Sequence, residues 1–124
     1  MKRLTLFLFS SILFFSACAS SDSIDTGNDT TLIISQGNIF ATTALTATSG
    51  GVVTVVNDDD TLHTIASESA EDAFDNTGSF NITVTSQGTE VFTLPTATSG
   101  TVFFFYCAIH TSSMTPANGT ITIE

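Results

Sequence analysis

The chain has 124 residues, which is enough for one ordinary domain and no more. Twelve acidic residues stand against two basic ones, and the formal net charge is −10. This balance excludes nucleic acid and anionic membrane surfaces as electrostatic partners. It favours a positively charged protein partner or a saline habitat, and the alternative is that the acids only keep the protein soluble.

The N-terminus carries a targeting pattern. Two basic residues precede the apolar run LTLFLFSSILFF, which is short for a transmembrane helix, and small residues follow it. This pattern predicts a secretory signal peptide over residues 1–17. The segment Phe15–Cys18 resembles the lipobox of bacterial lipoproteins, in which the cysteine becomes the lipidated first residue of the mature chain. The alternative is ordinary cleavage close to this point, with Cys18 incidental.

Residues 18–30 are polar and acidic, and they contain almost no large apolar side chain. Such a composition cannot bury enough surface to order itself, so we predict a flexible linker. Because Lys2 and Arg3 lie in the leader, the chain that remains after cleavage has no Lys or Arg, twelve acids and therefore a net charge of −12.

From residue 31 onward the sequence consists of short runs of β-branched and aromatic residues separated by turn residues. The runs are TLIIS, ALTA, GVVTVVN, LHTIAS, FNITVTS, EVFTLP, TVFFFYC and TITIE. Strand-length runs divided by Gly, Asn, Asp and Ser predict an all-β sandwich or barrel over residues 31–124. A domain of this size would gain stability from a bound metal.

An acidic turn precedes the first histidine. Asp58–Asp60 supply three consecutive carboxylates, and His63 follows at the predicted start of a strand. Carboxylates favour hard cations such as calcium, but three consecutive side chains point in alternating directions and lack the spacing of a calcium loop. We interpret this segment as a solvated turn.

The stretch TVFFFYCAIHTSSMTPANGTITIE is the most informative part of the chain. Alternation on a strand places Phe103, Phe105 and Cys107 on one side, so the strand delivers the thiol at its end. His110 follows three residues later and Met114 four residues after that. A thiolate, an imidazole and a thioether within eight residues form a soft, mixed donor set that suits copper.

The cysteines of a secreted protein usually pair. If Cys18 carries lipid or leaves with the leader, Cys107 has no partner, and a lone thiol outside the cytoplasm is a liability unless something occupies it. Beyond the leader the chain has two His and one Met. Together with Cys107, these residues make up one set of metal ligands with none to spare. His63 is the only second imidazole available. Two His, one Cys and a weak axial Met are typical of blue-copper electron-transfer sites.

The segments VTVVNDDDTLHTI and FFFYCAIHTSSMTPANGTITI resemble the cupredoxin family, in particular small plastocyanin- or amicyanin-like bacterial domains. The resemblance covers essentially all of residues 31–124. It implies a Greek-key β-sandwich with one copper ion, equatorial ligands His63, Cys107 and His110, and Met114 as the axial ligand.

Three departures from the family pattern concern the surroundings of these ligands. Three residues separate His110 from Met114, where relatives more often have two or four, and Thr111 stands where many relatives have Pro. Thr64 follows His63 where plastocyanin-like proteins often have an Asn that bridges to the ligand loop. The support of the first imidazole is therefore left open at this point.

These observations predict a type 1 blue copper protein that shuttles single electrons between redox partners outside the cytoplasm, in the periplasm or on a lipid anchor at Cys18. The alternative is copper storage or delivery with the same ligands, and a third interpretation is a metal-free adhesive sandwich. The expected partner is a redox protein with a basic docking surface, such as a c-type cytochrome. We expect a monomer and no enzymatic activity, because the chain has no spare His for an open catalytic position.

Overall fold

The computed structural model describes residues 30–124. The predicted signal peptide, Cys18 and all of the predicted linker except its last residue lie outside the described residues. None of the described residues belongs to a helix long and apolar enough to cross a membrane.

The described part of the chain forms nine β-strands and no α-helix. They are β1 (Thr31–Ser35), β2 (Ile39–Phe40), β3 (Ala44–Ala47), β4 (Val52–Asn57), β5 (His63–Glu68), β6 (Asn81–Val84), β7 (Thr89–Thr93), β8 (Val102–Tyr106) and β9 (Asn118–Ile123). Every run predicted from the sequence overlaps one of these strands. Only the two-residue strand β2 was not predicted.

The strands form two sheets that pack face to face. One sheet has the order β2-β1-β4-β7 and the other the order β3-β9-β8-β5-β6. The pairs β1–β4 and β3–β9 are parallel, and the remaining pairs are antiparallel. Because the chain crosses between the sheets several times, neighbouring strands are often distant in sequence. The predicted all-β Greek-key sandwich is confirmed.

Alternation along the strands builds the core. In β1 and β4 every second residue is buried, and these inward residues meet those of β8 and β9 from the opposite sheet. The rings of Phe40 and Phe105 meet edge to face, with their centroids 5.2 Å apart. Gly119 is required beside them, because a Cβ there would press on the Phe105 ring and lie 2.8 Å from the carbonyl oxygen of Thr43.

The sheet pairing places two distant segments at the same end of the sandwich. Strand β5 begins at His63 and runs antiparallel to β8, with Ala66 opposite Tyr106 and Ser67 opposite Phe105. The start of β5 therefore lies beside the end of β8, where Cys107 follows directly. This juxtaposition creates the candidate site.

Candidate metal centre

Cys107 lies at the end of β8 and is fully buried. Phe105 is also fully buried, and Phe103 packs against the core from the same face, as strand alternation predicts. Tyr106 points to the opposite face, where the ring of Phe74 covers it at a centroid distance of 5.4 Å. Cys107 is a free thiol among the described residues. The strand thus delivers an unpaired sulfur to a position that is closed to solvent.

The first residue of β5, His63, is fully buried as well. Its Nδ1 lies 3.6 Å from the Sγ of Cys107, although 44 residues separate them in the chain. The imidazole and the thiol are therefore brought together by the pairing of β5 with β8 and not by local sequence.

His110 completes the group from the loop after β8. The turn that carries it is closed by its N–H, which donates to the carbonyl oxygen of Cys107 at 3.2 Å. The Nδ1 of His110 lies 3.6 Å from the Cys107 Sγ and 3.2 Å from the Nδ1 of His63. The donor atoms of the three residues all lie within 4.8 Å of one another, so they could hold a metal ion. His110 is only half-buried, whereas the other two are inaccessible.

Met114 closes the same loop from the core side. It is 6% exposed and belongs to the core cluster that also contains Cys107. The Met114 N–H donates to the carbonyl oxygen of His110 at 3.0 Å, and the Thr115 N–H donates to the carbonyl oxygen of Asn38 at 2.9 Å. These bonds hold the three-residue spacing between His110 and Met114 in a compact loop, and Met114 is buried in the interior.

Comparisons with known proteins agree with this architecture. No protein-family model matches the chain, and no curated protein is similar to it in sequence. Among solved structures, a purple cupredoxin from Nitrosopumilus maritimus superposes with a TM-score of 0.57 at 24% identity, covering 76% of this chain and 98% of the other. A dithionite-reduced auracyanin from Roseiflexus castenholzii gives 0.57 at 16% identity, with 76% and 94% covered. A Cu(I) form of a mutant amicyanin gives 0.51 at 18% identity, with 76% and 80% covered.

The chain has the cupredoxin fold. The resemblance read from the sequence is therefore confirmed for the architecture, and the His63, Cys107 and His110 cluster lies at one end of the sandwich.

In this cupredoxin fold, Thr64 connects strand β5 to the loop that follows β8. Its backbone N–H donates to the Sγ of Cys107 at 3.3 Å, and its hydroxyl lies 3.7 Å from the same sulfur. The Thr64 Oγ1 also accepts a hydrogen bond of 2.8 Å from the N–H of Ala108. A threonine thus ties the strand of His63 to the loop of Cys107.

The prediction of a solvated turn at Asp58–Asp60 is wrong for its middle residue. Asp58 and Asp60 are exposed, but Asp59 is buried, and its Oδ2 lies 2.9 Å from the Nε2 of His63. Burial acts to raise the pKa of Asp59, but hydrogen bonds from His63 and from backbone amides outweigh it and hold the pKa well below its usual range. The sequence feature that could have indicated this contact is the run of three consecutive acids shortly before a His, because one side chain of such a turn can point inward.

The donor set has a definite chemical preference. Two imidazole nitrogens and a thiolate would suit copper, which would supply one-electron redox chemistry there, and a weak thioether donor beside such a set is typical of electron-transfer sites. Asp59 contacts the ring of His63, the N–H of Thr64 donates to the sulfur of Cys107, and the backbone N–H of His110 donates to the carbonyl oxygen of Cys107. Contacts of this kind around metal-binding side chains limit how far those side chains can move when a metal binds or changes its charge.

Proposed function

We propose that the protein binds one copper ion through His63, Cys107 and His110, with Met114 as the axial ligand, and that it carries single electrons. The observation that supports this most strongly is the convergence of one thiol and two imidazole nitrogens within 4.8 Å in a largely buried place. Two proteins of similar structure support it further, because the amicyanin was solved in a Cu(I) form and the auracyanin in a dithionite-reduced state. The role is that of a carrier and not of an enzyme.

When bound, copper would supply reversible one-electron chemistry. The surrounding residues determine how far the metal-binding side chains would have to move when copper gains or loses an electron. Thr64 holds the sulfur of Cys107, and Asp59 holds the ring of His63 through hydrogen bonds already present in the folded chain. Burial of His63 and Cys107 keeps water away from two of the ligands. A preorganised, water-poor site keeps the reorganisation between the two oxidation states small.

His110 is the ligand through which we expect electrons to enter and leave, because it alone among the clustered residues is partly exposed. Apolar side chains stand next to two ligands in the chain: Leu62 before His63 is 43% exposed, and Ile109 before His110 is 51% exposed. Together with Ala108, Thr111 and Pro116, they would form an apolar docking surface around the exposed imidazole.

The charge of the chain suggests the class of partner. The described residues contain no Lys or Arg, while the acids include Glu71, Asp72 and Asp75 in the β5–β6 loop and Asp58 and Asp60 before β5. Complementary charge steers association, so we propose a basic redox protein such as a c-type cytochrome. We further propose that the protein works as a monomer outside the cytoplasm, after removal of the leader, and is held at the membrane by lipid on Cys18.

The experiment that tests the carrier role is redox cycling of the copper-loaded protein. Chain loaded with Cu(II) is reduced with dithionite, desalted, reoxidised and desalted again, and copper is measured per chain at each step. We expect about one copper per chain throughout. Release of copper on reduction would contradict an electron carrier and would indicate copper delivery. Cys107→Ser is the control, which we expect to retain little copper at any step.

A further inference from the structure

We propose that Asp59 is a positioning residue for the copper site: it holds His63 in the tautomer that presents Nδ1 to the metal, and its buried negative charge lowers the reduction potential. The part that concerns the reduction potential rests on the proposed function, whereas the part that concerns the tautomer of His63 does not. Asp59 lies four residues before His63, and its Oδ2 is 2.9 Å from the Nε2 of that ring. Both side chains are buried, with relative exposures of 6% and 0%.

The remaining contacts of Asp59 show that its carboxylate is fully occupied by donors. Backbone N–H groups of Asn38, Asp60 and Gly37 donate to it at 3.0, 2.8 and 3.4 Å. The hydroxyl of Thr61 lies 3.3 Å from Oδ2. A carboxylate that accepts several hydrogen bonds is stabilised in its ionised form even when it is buried. Asp59 therefore places a carboxylate, stabilised in its ionised form by these donors, directly behind the imidazole.

The turn that carries Asp59 is held firmly in place. Asn57, which is fully buried, donates from its amide nitrogen to the carbonyl oxygens of Thr61 and Thr85 at 2.8 and 2.9 Å. Its amide oxygen accepts the N–H of Asp59 at 3.0 Å. The carboxylate consequently has little freedom to turn away from the ring of His63.

The bond to Asp59 determines which nitrogen of His63 is free. A neutral imidazole has one N–H and one lone pair. Because Nε2 faces the carboxylate and the hydroxyl of Thr61 at 3.1 Å, it carries the proton, and the lone pair remains on Nδ1. That Nδ1 lies 3.6 Å from the Sγ of Cys107. The tautomer required for metal binding is thus set before any metal arrives.

The same contact has an electrostatic consequence. A carboxylate bonded to the outer nitrogen of a ligating histidine makes the ring a stronger donor. The buried negative charge also interacts more favourably with Cu(II) than with Cu(I), because the oxidised ion carries the larger positive charge. Both effects favour the oxidised state, so Asp59 lowers the reduction potential.

The first test compares Asp59→Asn with Asp58→Asn in the copper-loaded full chain. Each variant removes one negative charge, but Asp58 is exposed while Asp59 contacts the ligand. We expect Asp59→Asn to change the one-electron equilibrium at least about tenfold in favour of Cu(I), a rise of about 59 mV. The change for Asp58→Asn should be much smaller, because solvent screens its charge. Equal shifts of the reduction potential in the two variants would overturn the claim that the charge of Asp59 lowers this potential.

The second test needs neither copper nor a stable variant. Nitrogen-15 NMR of the metal-free full chain reports which ring nitrogen of His63 carries the proton. We expect protonation at Nε2, and protonation at Nδ1 would overturn the positioning role. This NMR result does not depend on copper. A chain that failed to bind copper would contradict the proposed function. The protonated nitrogen of His63 would still show whether Asp59 positions the ring.

Discussion

The backbone N–H of Thr64 donates a hydrogen bond of 3.3 Å to the sulfur of Cys107, across 43 residues of sequence. The hydroxyl of the same threonine accepts the N–H of Ala108 at 2.8 Å. One residue therefore holds the thiol through its main chain and the ligand loop through its side chain. Because of this double contact, the position of the Cys107 sulfur depends on strand β5 as well as on strand β8, which Cys107 follows.

Replacing Thr64 by Val tests the side-chain half of this contact. The shape is almost unchanged, but the N–H of Ala108 loses its acceptor, and we expect the free energy of unfolding to fall by about 1–3 kcal/mol. Thr64→Ser, which keeps the hydroxyl, is the matched control and should lose less. Urea unfolding followed through the single tyrosine measures both variants. Equal losses would show that the hydroxyl contributes nothing.

Replacing Met114 by Leu tests the axial ligand. The two side chains have similar volumes, so we expect the fold to be retained at a cost below about 1.5 kcal/mol. Loss of the thioether leaves the more highly charged Cu(II) with one donor fewer in a more apolar site, and the reduction potential should therefore rise while the visible colour remains. A redox titration of both proteins measures the shift. An unchanged potential would mean that Met114 only fills the core.

The cluster of His63, Cys107 and His110 could be predicted from the sequence to different degrees. Cys107 and His110 lie within one short segment whose spacing is itself informative, and His63 is the only other imidazole. Strand β2 is too short for its hydrophobic period to be visible. Thr64 and Asp59 could not be assigned their roles, because their contacts depend on how β5 pairs with β8 and on which side chain of the acidic turn points inward.

The β5–β6 loop gives a pH prediction. Hydrogen bonds from Ser69 and Thr77 hold the pKa of Asp75 below its ordinary value of 3.8. The stabilisation is fully present above that value and is lost as the pH falls through the lower folded-state pKa. Ser69→Ala should raise the pKa of this carboxyl towards 3.8, as measured by a carboxyl NMR titration. Ser113→Ala, in a different loop, should leave it unchanged; an equal effect would contradict the assignment.

The absence of basic residues from the described chain predicts strong salt dependence of partner binding. The rate of electron transfer to a basic c-type cytochrome should fall steeply between about 0.01 M and about 0.15 M ionic strength, where the Debye length shrinks from about 30 to about 8 Å. Stopped-flow mixing measures this rate. An acidic redox protein is the control and should react faster as salt increases. A rate independent of salt would contradict electrostatic steering.

The central claim, that His63, Cys107 and His110 bind copper through a thiolate, is tested most directly by titrating the metal-free protein with Cu(II) while recording its visible spectrum. The account predicts an intense charge-transfer band that grows linearly to one equivalent of copper and then stops, and that is absent in Cys107→Ser. A weak band without thiolate character, or one that persists in Cys107→Ser, would contradict it.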